Sequence, residues 1–399
     1  MTSCSQQSRR PYWGDLVPAW LDYQLEVLEH IHADHPPLEQ ELTTHQSESV
    51  AHVVSQFQAS FFILLLFNHS VARQVTTFWL HPWFKILGRQ EPTGVFRPIH
   101  SKAPLPLSEF FGHNAINDLR KLKATKPPRD SDKIEELTAE EIAKHQCTPW
   151  LTEQHVNSMF GIGQGCALYR CVIVQLEKLR LIDDGARGLQ NACASESDTI
   201  YTTSVDFIPE AARLLLHFRL AHQYGLQSGI HDQHAFSTLS PEDGPTFGTD
   251  DLPEAVRGVP LCPADRAAAV VAVWDMKTHA WKFSVMNGAP YGLGRIVHTF
   301  NRYPTRVIAA ARRVLARVIT NYFDDVCNVS IVKLGRTQSL VTRRLFGLFG
   351  TPPKEQKSFC NKVHGNFLGA HAKMSAVVTT VVRILPKYVS RVRAKRPDR

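Results

Sequence analysis

The chain is expected to fold as an α+β protein, and three observations lead there. Runs of apolar residues at helical spacing lie apart from runs that alternate apolar and polar residues. The alternating runs occur in hairpins and not as strand–helix–strand units. No internal repeat is visible in the 399 residues.

In chain order, residues 1–117 read as an N-terminal helical region, with Val50, Val53, Val54, Phe57, Phe61, Leu64 and Leu65 at helical spacing. The apolar run Phe61 to Phe67 ends at Asn68 and His69, far too short to span a membrane, and reads as a buried helix. Histidines 30, 32, 35, 45, 52, 69 and 81 fit no metal-ligand spacing. Residues 118–147 are dense in charge and contain Pro127-Pro128. They read as a linker ending in a short helix capped near Thr138, with Glu141 three residues on.

A second compact region, 148–370, opens near Thr148-Pro149-Trp150. Ala167 to Leu176 is a short apolar segment, and Phe207, Ala211, Leu214, Leu215 and Phe218 predict a helix. The segment around Val270-Val271-Ala272-Val273 reads as a strand. Pro290-Tyr291-Gly292-Leu293-Gly294 opens a helical stretch, broken or kinked at Pro304, that runs to Val318. Tyr322-Phe323-Asp324-Asp325 follows, between two alternating runs, and predicts a hairpin with two acids at its tip. Residues 371–399 read as a basic tail.

A hydrophobic content of 43% is enough to bury a sizeable core and excludes a disordered chain. The net charge of +8 is uneven, because residues 301–399 hold 20 Lys and Arg against 4 Asp and Glu. That asymmetry points to a polyanionic partner, nucleic acid first and an anionic membrane surface second. Arg302, Arg306, Arg312, Arg313, Arg317, Arg343 and Arg344 are the expected basic surface, although adjacent Arg312 and Arg313 cannot both face one side of a helix. The eight cysteines form no Cys-x-x-Cys pair, and no apolar leader follows Arg9-Arg10. Reduced thiols in an intracellular protein, in cytoplasm or nucleus and not secreted, are therefore expected.

Two adjacent carboxylates on a hairpin tip need a divalent cation or a strong basic partner to offset their repulsion. A third acid lies 73 residues upstream at Asp251, in Asp251-Leu252-Pro253-Glu254-Ala255-Val256, with Pro290-Tyr291-Gly292 between them. Upstream again come Phe160-Gly161-x-Gly163-Gln164 and Lys178-Leu179-Arg180-Leu181-Ile182-Asp183-Asp184; downstream come Lys354 to Lys357 and Phe367-Leu368-Gly369. This ordered set, over roughly residues 150–370, resembles the reverse transcriptase family of retroelements, whose signature is Tyr-x-Asp-Asp.

The resemblance implies a right-hand polymerase of fingers and palm carrying an N-terminal helical extension, and an RNA-directed DNA polymerase activity. It implies two Mg2+ ions, with Mn2+ as a substitute, held by Asp251, Asp324 and Asp325. RNA template, DNA or RNA primer and deoxynucleoside triphosphates would be the partners, without a membrane. Lys178 and Arg180 would meet the triphosphate, and Lys357 would donate a proton to the leaving pyrophosphate. Val256, Tyr291 and Gly292 would line the nucleotide pocket, and Phe367, Leu368 and Gly369 would form the primer grip.

Val256 departs from the family's Tyr or Phe, Leu181 from its Pro, and Pro253 follows the metal acid unusually closely. Asp250 beside Asp251 leaves the exact ligand open, although Asp251 fits the spacing better, and Asp275 lies too close to Asp324 for the family pattern. Only about thirty residues follow Leu368-Gly369. A thumb, an RNase H or an integrase is not expected within them. A fragment, or an inactive relative that only binds nucleic acid, is the alternative. A metal-dependent nuclease or phosphatase would use the same acids but leaves Lys178, Arg180 and the Pro-x-Gly segment without a role.

Overall fold

The computed structural model describes residues 13–33, 84–89, 96–111, 126–175, 178–200, 202–224, 240–252, 256–374 and 380–384, with a few single residues between them. The predicted helical run Val50 to Leu65 and the apolar run to Phe67 lie outside the described residues. In chain order the helices of eight residues or more are α1 (Trp13–Ala33), α2 (Ser131–Ala143), α3 (Glu153–Phe160), α4 (Phe207–Tyr224), α5 (Gly294–Val314) and α6 (Val332–Leu348). The strands are β1 (Gly88–Arg89), β2 (Ala167–Gln175), β3 (Lys178–Asp184), β4 (Ala194–Ser195), β5 (Pro245–Asp251), β6 (Val270–Asp275) and β7 (Ala280–Val285), followed by β8 (Val318–Tyr322), β9 (Asp325–Ile331), β10 (Phe359–Lys362), β11 (His364–Phe367), β12 (Ala370–Lys373) and β13 (Thr380–Ile384). Several short 3-10 turns complete an α+β architecture. Among the described residues, no helix is long and apolar enough to cross a membrane.

The chain divides into two compact units that it visits in turn: residues 1–34, 202–253 and 304–399 form one, and residues 35–201 and 254–303 the other.

The first unit is built on an antiparallel sheet in the order β10-β5-β9-β8. Period-two alternation splits β5 and β9 between two faces. Phe247, Cys327 and Val329 pack with Ile208, Ala211 and Ala212 of α4. Asp250 and Asn328 face the other way, bonding Arg343 and Ser339 of α6. Leu21, Leu25 and Leu28 bury one stripe of α1, and Glu29 pairs with Arg344 of α6 at 3.0 Å. A second antiparallel sheet, β11-β12-β13, uses part of the segment read as a basic tail. The turn Leu368-Gly369 has φ of 49° and 80°. Positive φ at both central residues belongs to the turn that best joins two right-twisted strands.

The second unit holds the sheet β3-β2-β6-β7, in which only the β2–β6 pairing is parallel. Val270 to Val273 are buried throughout, as suits a strand covered on both faces. Leu119, Val156, Ala167 and Phe283 pack with them, and Ile134, Leu137 and Trp150 close a second cluster with Val273. The charged stretch read as a linker contributes α2 to this unit. The expected cap at Thr138 is corrected: the helix begins at Ser131, and the Thr138 hydroxyl donates to the Ile134 carbonyl within it. Thr152 caps α3 by accepting from the His155 amide, and Gly161 ends it at φ 96°. Pro304 lies inside α5, which ends at Val314, short of the expected Val318.

Candidate functional site

The paired acids stand where the alternation predicted. β8 and β9 form a hairpin linked by Phe323-Asp324, with Tyr322 opposite Asp325. Phe323 has φ of 54°, uncommon for a bulky side chain, and its ring meets Tyr322 edge-on with centroids 4.7 Å apart. Such an outlier costs about 1–3 kcal/mol and persists only where the surroundings enforce it. One enforcing bond comes from the neighbouring strand, where the Leu252 amide donates to the Asp324 carbonyl at 2.9 Å.

That bond continues the β5–β9 ladder, in which Asp251 faces Asp325 directly. Three acids from two sequence regions therefore meet at one end of the sheet. Asp325 shows the consequence: partial burial first, then the charges of Asp324 and Asp251, push its carboxyl up to about 6, against the pull of Lys357. Lys357 forms an ion pair with Asp251, and the Lys354 amide donates to the Asp251 carbonyl.

Asp250, the rival ligand, points away from this cluster. It is buried and paired with Arg343 at 2.7 Å. Asp275 caps the β6–β7 turn through the Lys277 and Thr278 amides, in the other unit.

Among the described residues, no three His, Cys, Asp or Glu side chains are grouped closely enough to hold a metal ion. Three carboxylates are nevertheless the oxygen donors that a hard divalent cation takes, and burial with the charges of Asp324 and Asp251 raises the Asp325 carboxyl while Lys357 acts against them. An ion there would take over the neutralising role that Lys357 now fills.

The remaining expected residues divide between the units. Phe367 is 4% exposed and packs with Phe247, so only Leu368 and Gly369 of the expected primer grip reach the surface. In the second unit, Lys178 and Arg180 lie two residues apart on β3, and Arg180 is exposed. Val256 is half-buried. Tyr291 lies under the Arg257 guanidinium, 4.5 Å from ring centroid to Cζ, and Gly292 has φ of 95°.

The expected basic surface is corrected in part. Arg302, Arg306 and Arg317 are buried: Arg302 pairs with Asp198 at 3.2 Å, and Arg317 donates to the Thr342 hydroxyl. Arg343 and Arg344 are taken up by Asp250 and Glu29. Exposed Arg312 donates to the Ile319 carbonyl, and Arg313 is also exposed.

Sequence reasoning missed a group of residues in the second unit. Arg170 of β2 bonds Asp183 of β3 at 2.8 Å and Glu141 of α2 at 2.8 Å. Arg257 pairs with the same two acids, at 2.9 and 2.7 Å. Burial opposes the charge on Asp183, yet Arg170 and Arg257 hold its carboxyl below the usual range. The signal lay in the Ile182-Asp183-Asp184 motif, but the partners are 42 residues upstream and 74 downstream of Asp183 as well as on the adjacent strand. Comparison of the sequence with protein-family models and with curated proteins finds no match.

Proposed function

We propose that the chain is an RNA-directed DNA polymerase with a right-hand fingers and palm fold. The unit carrying the acids reads as the palm and the unit carrying Arg180 as the fingers. The observation that carries this reading is the direct opposition of Asp251 and Asp325 with Asp324 in the adjoining turn. A lone acidic hairpin is common, whereas a third acid brought opposite it by strand register, in family order, is not.

Asp251, Asp324 and Asp325 would hold two Mg2+ ions, or Mn2+ in their place. When bound, the ions would activate a primer 3′ hydroxyl and offset charge on the leaving pyrophosphate. Lys357, released from Asp251, would hold the proton that the pyrophosphate takes. Lys178 and Arg180 would bind the triphosphate as charge-assisted donors. Gly292, whose missing Cβ lets it pack on the Asp183 carbonyl, would lie beside Tyr291 in the nucleotide pocket, and Val256 would leave room beside the sugar.

A second reading, an inactive relative that binds nucleic acid, draws support from the Lys357–Asp251 ion pair, which occupies one of the three acids. Primer extension on an RNA template with deoxynucleotides, comparing the chain with Asp324→Asn, separates the two. Extension that is lost on substitution supports the polymerase. Binding of template and primer without extension by either protein supports the inactive relative.

A further inference from the structure

The four residues Arg170, Glu141, Arg257 and Asp183 form a closed ring of alternating charge, each acid bridging both arginines. Arg170, Arg257 and Asp183 are at most 4% exposed. Two positive and two negative charges balance, so the ring is held out of water without a net charge. Its members come from α2, β2, β3 and the segment just after Val256.

The ring also grips the Tyr291–Gly292 turn. The Asp183 carboxylate accepts from the Tyr291 amide at 3.0 Å, while the Asp183 amide donates to the Tyr291 carbonyl at 2.9 Å. Gly292 packs so closely on the Asp183 carbonyl that any Cβ would collide with it. Arg257 covers the Tyr291 ring and donates to the Ala289 carbonyl at 2.9 Å. Asn191 fixes the far side, donating to the Gly292 carbonyl and accepting from the Gly294 amide, both at 3.1 Å. The turn is thus bonded on both sides, and the strand that holds it is the one that carries Arg180.

We propose that Asp183 and Arg257 are positioning residues for nucleotide binding: their ring with Arg170 and Glu141 sets the Tyr291–Gly292 turn against the strand bearing Arg180. This rests on the polymerase reading. The ring's bonds run to the Tyr291–Gly292 turn, so its loss weakens nucleotide affinity and leaves the chemical step nearly unchanged.

The test uses the full chain with Asp183→Asn, which keeps the shape and removes the charge, and Arg257→Lys, which keeps the charge. Primer extension gives KM for the deoxynucleotide and kcat, and backbone amide exchange is followed at residues 288–294. For Asp183→Asn, KM rises about tenfold or more with kcat within about threefold, and the Tyr291 and Gly292 amides exchange about tenfold faster. Arg257→Lys recovers most of the lost affinity relative to Arg257→Gln. An unchanged KM, or equal losses in kcat and kcat/KM, overturns the proposal. If Asp183→Asn does not fold, Arg257→Gln is read by the same criteria. If the unsubstituted chain does not extend primers, the polymerase reading falls, and exchange decides the clamp separately: faster exchange confined to 288–294 upholds it, and unchanged exchange overturns it.

Discussion

Asp251, at the end of β5, stands directly opposite Asp325, at the start of β9. Like charges facing each other across an antiparallel pair oppose the pairing. Here Asp324 adds a third charge, and Lys357 pairs with Asp251 and acts against the rise at Asp325. A fold that keeps such an arrangement gives up stability at the place where a cation would restore it.

The pH dependence of stability follows. Asp325 has a folded pKa of about 6, above its ordinary 3.8, so between these values the folded state binds more protons than the unfolded chain. Stability therefore falls as pH rises through that window, with the penalty fully present above about pH 6. Asp325→Asn, measured by thermal melting without added metal, is expected to melt higher than the unsubstituted chain at pH 7.5 and close to it at pH 4. Equal melting temperatures at pH 7.5 contradict the assignment.

Lys357 is paired with Asp251, so on the proposed reading it would compete with a cation for that acid. Lys357→Met is expected to show a larger rise in melting temperature on addition of millimolar Mg2+ than the unsubstituted chain, and Asp324→Asn a smaller one. Primer extension by Lys357→Met is expected to fall, since tighter ion binding does not replace a proton donor. A Mg2+ response identical in all three proteins would mean that the acids do not hold the ion.

The buried ring makes Arg170 costly to lose. Arg170→Met leaves Asp183 and Glu141 short of a partner, and breaking a buried pair from one side costs about 3–5 kcal/mol. Denaturant unfolding is expected to show a loss of that size. A loss below about 1 kcal/mol would place the ring at the level of surface ion pairs.

On the proposed polymerase reading, Val256 takes the place of an aromatic gate against the ribose 2′ hydroxyl. Discrimination against ribonucleotides is expected to be poor and to rise in Val256→Tyr, measured as the ratio of deoxynucleotide to ribonucleotide incorporation. Equal ratios in the two proteins remove Val256 from the pocket.

The hairpin and its acids were legible because they depend on short-range alternation and a two-residue link. Spacing favoured Asp251 over Asp250, but the partners of the two turn on register, which the sequence did not show: period two sends Asp250 to Arg343, 93 residues away, and Asp251 to Asp325. The arginines of α5 misled for a related reason. A charged residue on a helix reads as solvated, but Arg302 and Arg306 are buried, and Arg302 finds Asp198 more than a hundred residues upstream. Glu141 read as half of a capping box, when its carboxylate instead joins Arg170 to Arg257.

Single-turnover primer extension on an RNA template with Mg2+ reads whether the opposed acids perform the proposed nucleotidyl transfer. Asp251→Asn is expected to bind template and primer as tightly as the unsubstituted chain and to extend it at least about a thousandfold more slowly. Extension at an undiminished rate by Asp251→Asn, with binding intact, would contradict the account.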